Sequence, residues 1–360
     1  MSPKAGPRTY LRPTAMLAPT ASLAAVERLV RIAGREDLAS SAVELIVREG
    51  DVRTSVDLLQ TSALRAKAET DPVLADLLEM IEAPRPPLAG LTLDRPRLMG
   101  IVNVTPDSFS DGGAFSSAQA AIDHALQLEA GGADILDIGG ESTRPGAEPV
   151  SIEDELRRVL PVIEGLAGRT KALISIDTRK ADVMRRALAA GAHMINDVAA
   201  LTYEPACMEV AAVSDAPVIL MHAQGDPRTM QAAPYYDDCL LDVCDWLEAR
   251  ITACEAAGIA RSRLVIDPGI GFGKNLAHNL ELLTGLSLLH GLGVPLLLGA
   301  SRKSFIGMLS GVKTARERVP GSIAAALQGA AQGVQILRVH DVAETRQALT
   351  VWEAMRHGAA

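Results

Sequence analysis

The chain has 360 residues, 48% hydrophobic and only 3% aromatic, with a formal net charge of −9. That length holds one large domain or two ordinary ones, and a core so poor in rings is built from Ala, Val, Leu and Ile, as in parallel strands covered by helices. The acidic balance argues against a nucleic-acid surface, and no apolar run approaches the ~18 residues of a membrane span. Cys207, Cys239, Cys244 and Cys254 show neither CxxC nor zinc spacing, so they read as buried thiols of a cytoplasmic protein.

The first 26 residues lack acids and carry Lys4, Arg8 and Arg12, a faint transit-peptide pattern. A plain disordered start is the expectation there. Helical spacing follows at about 22–48 (Leu23, Val26, Leu29, Val30, Ala33) and again at about 54–82. Ala83-Pro84-Arg85-Pro86-Pro87 then reads as a linker near 83–95. Residues 1–95 are thus expected to form a small, mainly helical extension without a catalytic constellation.

From residue 96 the pattern changes to short apolar runs alternating with helical stretches. Strands are predicted at 98–102, 135–138, 173–176, 194–195, 218–221, 264–266, 296–298 and 336–339. Helical patterns lie between them, for instance at 117–130, 151–167, 180–190, 237–257, 276–290, 319–332 and 341–356. Eight strands with intervening helices over 96–360 match a (β/α)8 TIM barrel, typically about 250 residues long. An open doubly wound sheet is the alternative, but the first βα loop lacks the GxGxxG such a sheet would use.

A barrel gathers its chemistry just after each strand, so polar residues should collect there. Residues 103–113 (NVTPDSFSDGG) leave the first strand, and Pro106 with the Gly pair argues against a helix. The second strand carries Asp137 and is followed by Gly139–Gly146 (GGESTRPG); the third is followed by Asp177-Thr178 and the fourth by Asn196-Asp197. The fifth ends in Met221-His222, the sixth leads into 267–274 (DPGIGFGK), the seventh into Ser301-Arg302-Lys303-Ser304, and the eighth carries Arg338 before His340-Asp341. Singly these have plain explanations. Asp197 and Asp341 read first as helix caps, His222 as structural, and 269–274 lacks the GxxxxGK[ST] of a phosphate loop.

Together they describe a chemistry. Asp137, Asp177, Asn196 and Asp267 suit a flat heterocycle rich in N–H groups. Arg144, Lys303, Arg338 and His340 suit phosphate and carboxylate. Asn103 and Asp111 are hard oxygen ligands for Mg²⁺. No Cys or Ser nucleophile stands out beside an orienting His, which argues against covalent acyl chemistry.

These motifs, in this order and spacing, resemble dihydropteroate synthase across essentially all of 96–360; the segments at 103–113 and 137–146 are the most specific. Departures such as Arg179 and Ala223 fall beside the matched residues. The resemblance implies a (β/α)8 barrel that condenses 6-hydroxymethyl-7,8-dihydropterin pyrophosphate with p-aminobenzoate. It implies that Asp137, Asp177, Asn196, Asp267 and Lys303 hold the pterin, with Met221 packed on its ring. Asn103, Thr143, Arg338 and His340 would hold pyrophosphate, with Mg²⁺ at Asn103 and Asp111. Phe109, Thr143, Arg144, Pro145 and Ser304 would shape the p-aminobenzoate pocket, which sulfonamides occupy in the family. The catalytic set is then Asp177, Lys303, Asn103, Arg338 and His340, in a homodimeric enzyme. Two rivals are a pterin-dependent methyltransferase, which has no need of the pyrophosphate cradle, and a non-catalytic pterin-binding paralogue, in which Asp177, Lys303 or the loops should have decayed.

Overall fold

The computed structural model describes residues 6–18, 29–104, 114–142, 148–225 and 229–357. The N-terminal part is an antiparallel sheet backed by two helices, not a helical extension. Strands β1 (Arg8–Leu17), β2 (Val30–Arg31), β3 (Ala39–Glu49) and β4 (Val52–Gln60) are followed by α1 (Thr61–Ala68) and α2 (Pro72–Glu82). β3 is central: β1 pairs with one edge, β4 and β2 with the other. Its sequence misleads because both of its faces are buried. Val43 joins Leu11, Leu64, Leu74, Leu78 and Ile81 on the helix side, while Ile46 and Tyr10 enter the main core on the barrel side. A strand apolar on both faces loses its period-2 signature and satisfies helical spacing by chance. The expected disordered start is likewise wrong for Arg8–Leu17, which pairs with β3 along its length. The second predicted helix begins as β4, and the helical remainder breaks at Asp71, whose carboxylate caps α2 by accepting from the Val73 and Leu74 amides.

The predicted linker is instead the floor of the barrel. Leu88 and Leu93 are buried with Met99, Ile135, Met194, Ile219, Val265, Leu297 and Ile336, the lowest inward-facing residues of the barrel strands. Prolines 84, 86 and 87 fit this role, because a chain crossing a barrel mouth needs extended, non-helical backbone.

The barrel itself follows expectation. Its strands are β5 (Arg97–Asn103), β6 (Ile135–Gly139), β7 (Leu173–Asp177), β8 (Met194–Asp197), β9 (Val218–Met221), β10 (Leu264–Asp267), β11 (Leu297–Leu298) and β12 (Ile336–Val339). They are parallel and in sequence order, β12 pairs with β5, and a bridge between Ile266 and Leu296 closes the ring. Around them lie α3 (Ala114–Ala130), α4 (Ile152–Leu166), α5 (Ala181–Ala189), α6 (Pro205–Val213), α7 (Cys239–Ala256), α8 (Leu276–Gly285), α9 (Ser304–Ser310), α10 (Val319–Ala331) and α11 (Val342–His357). The helix predicted at 276–290 ends at Gly285 and passes into a 3-10 turn, Leu286–Leu292.

The N-terminal sheet docks on α7 and on that turn. The Tyr10 hydroxyl donates to Asp245 at 2.8 Å, Arg48 pairs with Asp242 at 2.5 Å, and Arg53 pairs with Asp238. The Ser287 hydroxyl donates to the Pro13 carbonyl at 2.7 Å. Charged residues of α7 that would otherwise face water are thus met by arginines of the sheet.

Candidate active site

Strand alternation aims every second side chain inward, and the parallel register brings these residues level with one another. Asp137 stands beside Ile101 and Ser175, Asp177 beside Asn196, and Met221 beside Asp267. The lower layer is apolar and packed. The layer above it is polar: Asp137, Ser175, Asn196, Asp267 and Arg338, all carried on rigid strands.

Arg338 ties this layer together. Its Nε donates to Asp137 Oδ2 at 2.6 Å and its Nη2 to Asp177 Oδ2 at 2.7 Å. The Asn196 amide donates to the same Asp137 oxygen at 2.9 Å. Asp137 is fully buried, and its Oδ1 has no hydrogen-bond partner among the described residues. Two carboxylates thus share one guanidinium, and one buried acceptor oxygen is left over. That is a vacancy in hydrogen bonding which a donor-rich ligand edge would fill.

The electrostatics follow from burial. Removal from water pushes the Asp177 carboxyl up to about 7 against the pull of Arg338, with Asp137 reinforcing the rise. Burial also raises Asp267, with Lys303 opposing. Lys303 is brought down to about 8 by burial, and Asp267 holds it from falling further. Burial works against the Arg338 charge, but Asp137 and Asp177 outweigh it, so this guanidinium is more firmly protonated than usual. The site therefore holds two groups, Asp177 and Lys303, that titrate near neutrality from opposite sides.

At the rim, Lys303 Nζ donates to the Ile270 carbonyl and lies 4.5 Å from the centre of the Phe272 ring. The His340 amide donates to Ser301 Oγ at 3.2 Å, and its Nδ1 lies 3.0 Å from the same oxygen. Gly299 occupies an inward position at the end of β11; a Cβ there would sit 3.6 Å from Asp267 Oδ2, so glycine keeps that flank open. Asn103 ends β5 half-exposed, Ser304 opens α9 at the surface, and Met221 is buried at the end of β9.

Phe109, Asp111, Thr143, Arg144 and Pro145 lie outside the described residues. Asp197 and Asp341 are held by partners of their own, and Asp197 closes a turn rather than capping α6, whose N-cap is Glu204. Asp197 accepts from the Ala199 and Leu201 amides at 2.7 Å each, and Asp341 pairs with Arg302. Two residues beside the site were not foreseen. Phe272 walls the rim beside Lys303, and Lys274 is buried against His222. Only the unusual spacing of glycines at 269, 271 and 273 hinted that this loop runs close to its neighbours. Arg179, one of the departures, pairs with Glu141 at 3.1 Å and stacks over Tyr203.

Fold and site define a barrel enzyme that binds a donor-rich ring and an anion at the carboxyl ends of its strands. A family model described as "pterin binding enzyme" matches residues 99–340. The dihydropteroate synthase of Neisseria meningitidis serogroup B is 54% identical over 268 residues, which cover 73% of this chain and 94% of that one. The solved dihydropteroate synthase of Xanthomonas albilineans with 4-aminobenzoic acid superposes with a TM-score of 0.72 at 55% identity, covering 76% of this chain and 99% of that one. A structure of the Xanthomonas albilineans enzyme in complex with 7,8-dihydropteroate gives a TM-score of 0.69 at 52% identity, over 76% of this chain and 99% of that one. The chain belongs to the dihydropteroate synthases of the pterin-binding enzyme family. Its N-terminal sheet and barrel floor precede the segment the family model matches.

Proposed function

We infer that the chain is a transferase that condenses 6-hydroxymethyl-7,8-dihydropterin pyrophosphate with p-aminobenzoate, giving 7,8-dihydropteroate and pyrophosphate. One observation carries this reading beyond family membership: the Asp137–Arg338–Asp177 bridge, with Asn196 bonded to Asp137, lies toward the carboxyl ends of the strands and leaves a buried carboxylate oxygen for a ligand donor. In this reading the pterin edge donates to Asp137, Asp177, Asn196 and Asp267, beneath Met221 and Lys303. Pyrophosphate lies toward Asn103, Thr143, Arg338 and His340. The aryl amine enters over Phe109, Thr143, Arg144, Pro145 and Ser304.

The substitution is dissociative. The C–O bond between the pterin methylene and pyrophosphate breaks, and its electron pair leaves on oxygen. Arg338 and His340 stabilise that leaving charge. The methylene cation is delocalised over the ring, and the Asp177 carboxylate stabilises it. The aryl nitrogen then forms the new C–N bond and releases its proton. A weak nucleophile of this kind depends on orientation, which the strand-borne groups provide without reorganising.

Mg²⁺ is the proposed metal. Asn103 offers a neutral hard oxygen at a strand end. That fits an ion which keeps waters and shares phosphate oxygens, with Asn103 and Asp111 as its protein ligands. When bound, it neutralises part of the pyrophosphate charge. Sulfonamides are proposed as inhibitors through the p-aminobenzoate pocket. A cytoplasmic homodimer is proposed as well. Among the described residues no helix is long and apolar enough to cross a membrane. Exposed Met308 and Leu309 on α9, with Val351 and Met355 on α11, support pairing through the later helices. The deciding experiment follows pyrophosphate and 7,8-dihydropteroate with both substrates present: pyrophosphate release without formation of dihydropteroate, or no release at all, would sink the reading.

A further inference from the structure

Lys274 lies in the loop between β10 and α8 and is almost wholly buried, at 2% exposure. Its ammonium contacts three groups: His222 Nδ1 at 2.8 Å, the Phe272 carbonyl at 3.1 Å and the His222 carbonyl at 3.4 Å. Among the described residues no carboxylate pairs with it. An ammonium can only donate, so His222 Nδ1 is the acceptor and the imidazole proton sits on Nε2. Burial, with Lys274 itself adding to the effect, drives His222 down to about 2, so the ring is neutral and able to accept. Three acceptors converging on one nitrogen match three N–H bonds. A neutral amine has two, and would turn its lone pair toward an oxygen.

The two main-chain segments joined in this way are the exits of β9 and β10. His222 directly follows Met221, and its amide donates to the Asp267 carbonyl at 2.9 Å. Phe272 lies in the loop whose Ile270 carbonyl takes the Lys303 bond. Gly269, at φ +67°, lets the loop pass so close that a Cβ would overlap the His222 carbonyl. Lys274 therefore sits behind a wall whose front carries Met221, Asp267, Phe272 and Lys303, and its bond to that wall is to the main-chain carbonyl of Phe272, not to a side chain.

We propose that Lys274 is a positioning residue for the pterin pocket: in its charged form it staples the fifth and sixth strand exits together, so that Met221, Asp267 and Lys303 meet the pterin at fixed spacing. The assignment rests on the pterin lying over those residues. A buried cation with no counterion among the described residues is costly to keep, and residues retained at such a cost are found where function needs them. Burial brings Lys274 down to about 7. The ionisable groups around it are His222, Tyr236 and Cys239 at the start of α7, His278 on α8, and Asp267 and Lys303 at the site. The staple is thus intact below pH 7 and loosens above it.

The test is Lys274→Met in the full chain, with kcat, both KM values and the thermal midpoint measured from pH 6 to 9. A misplaced pocket wall should raise KM for the pterin pyrophosphate about 10-fold or more at pH 6, with KM for p-aminobenzoate changed less than about 2-fold. The ratio of variant to wild type should shrink toward one by pH 9, where the wild-type amine has itself lost its proton. If the methionine variant does not fold, Lys274→Gln is read in the same way, since it keeps two donors and loses the charge. A ratio independent of pH, both KM values rising together, or failure of both variants to fold makes Lys274 merely structural and overturns the proposal. Absence of turnover in the wild type is a different result and defeats the reaction assignment instead.

Discussion

Asp177→Asn separates the cost of the site from its use. The side chain keeps its shape, and its carbonyl oxygen can still accept from Arg338 Nη2, now 2.7 Å from Asp177. What changes is charge. Burial raises this carboxyl from 3.8 to about 7, so the folded state holds its proton more tightly than the unfolded chain does. The sign follows from linkage: wild-type stability is greatest below pH 4 and falls as pH rises through about 7, where the buried carboxylate ionises. At 1.36 kcal/mol for each tenfold change, keeping that charge at pH 8 costs the fold up to about 4 kcal/mol, with Arg338 and Asp137 sharing in the balance. Asparagine carries no such cost. The variant should therefore be as stable as wild type at pH 4 and equally or more stable at pH 8, by denaturant unfolding at both values. Its kcat for pyrophosphate release should fall by roughly 10²–10³, the effect of losing one preorganised group that faces developing charge. Near-normal turnover would refute the cation-stabilising role. A variant distinctly less stable than wild type at pH 8 would refute the electrostatic account of the polar layer.

In the wild type, kcat, on which Lys274 does not act, should rise through about pH 7 as Asp177 ionises and fall above about pH 8 as Lys303 loses its proton; a flat profile between pH 6 and 9 would contradict both assignments. Ser304→Ala should raise KM for p-aminobenzoate while leaving KM for the pterin near wild type, and equal effects would argue against its place in the second pocket. Leu88→Ala opens a cavity under the barrel and should cost about 2–5 kcal/mol in unfolding free energy with kcat unchanged. A loss below about 1 kcal/mol would mean that residues 83–95 are the linker their prolines first suggested.

The barrel was legible because its strands are short apolar runs, each closed by a polar residue, and because helices separate them. Asp137, Asp177, Asn196, Asp267 and Arg338 could be picked out one at a time in this way. That Arg338 would bridge two carboxylates could not, since it stands 201 residues from Asp137 and only ring closure brings β12 beside β5. Asp197 has local partners, the Ala199 and Leu201 amides, whereas the Asp341 carboxylate pairs with Arg302, 39 residues away. Lys274 escaped notice for the same reason as that pair: its partner His222 is 52 residues away, on another strand exit. The N-terminal sheet was misread where its central strand is buried on both faces, and its role as a second wall around α7 leaves no periodic mark in sequence.

The same geometry explains why stability and chemistry can be altered separately here. At the amino ends of the strands, Met99, Ile135, Met194, Ile219, Val265, Leu297 and Ile336 are sealed by Leu88 and Leu93, so every inward residue is apolar and satisfied by packing alone. One pleat higher most inward residues become polar or charged, and Asp137 keeps a buried oxygen without a partner among the described residues. The apolar layer holds the strands at fixed spacing, which lets the polar layer carry unsatisfied and mutually repelling groups without collapsing around them. Substitutions in the lower layer should therefore be read in unfolding free energy, and substitutions in the upper layer in kcat and KM. A lower-layer substitution that changed KM at constant stability would show that the two layers are coupled after all.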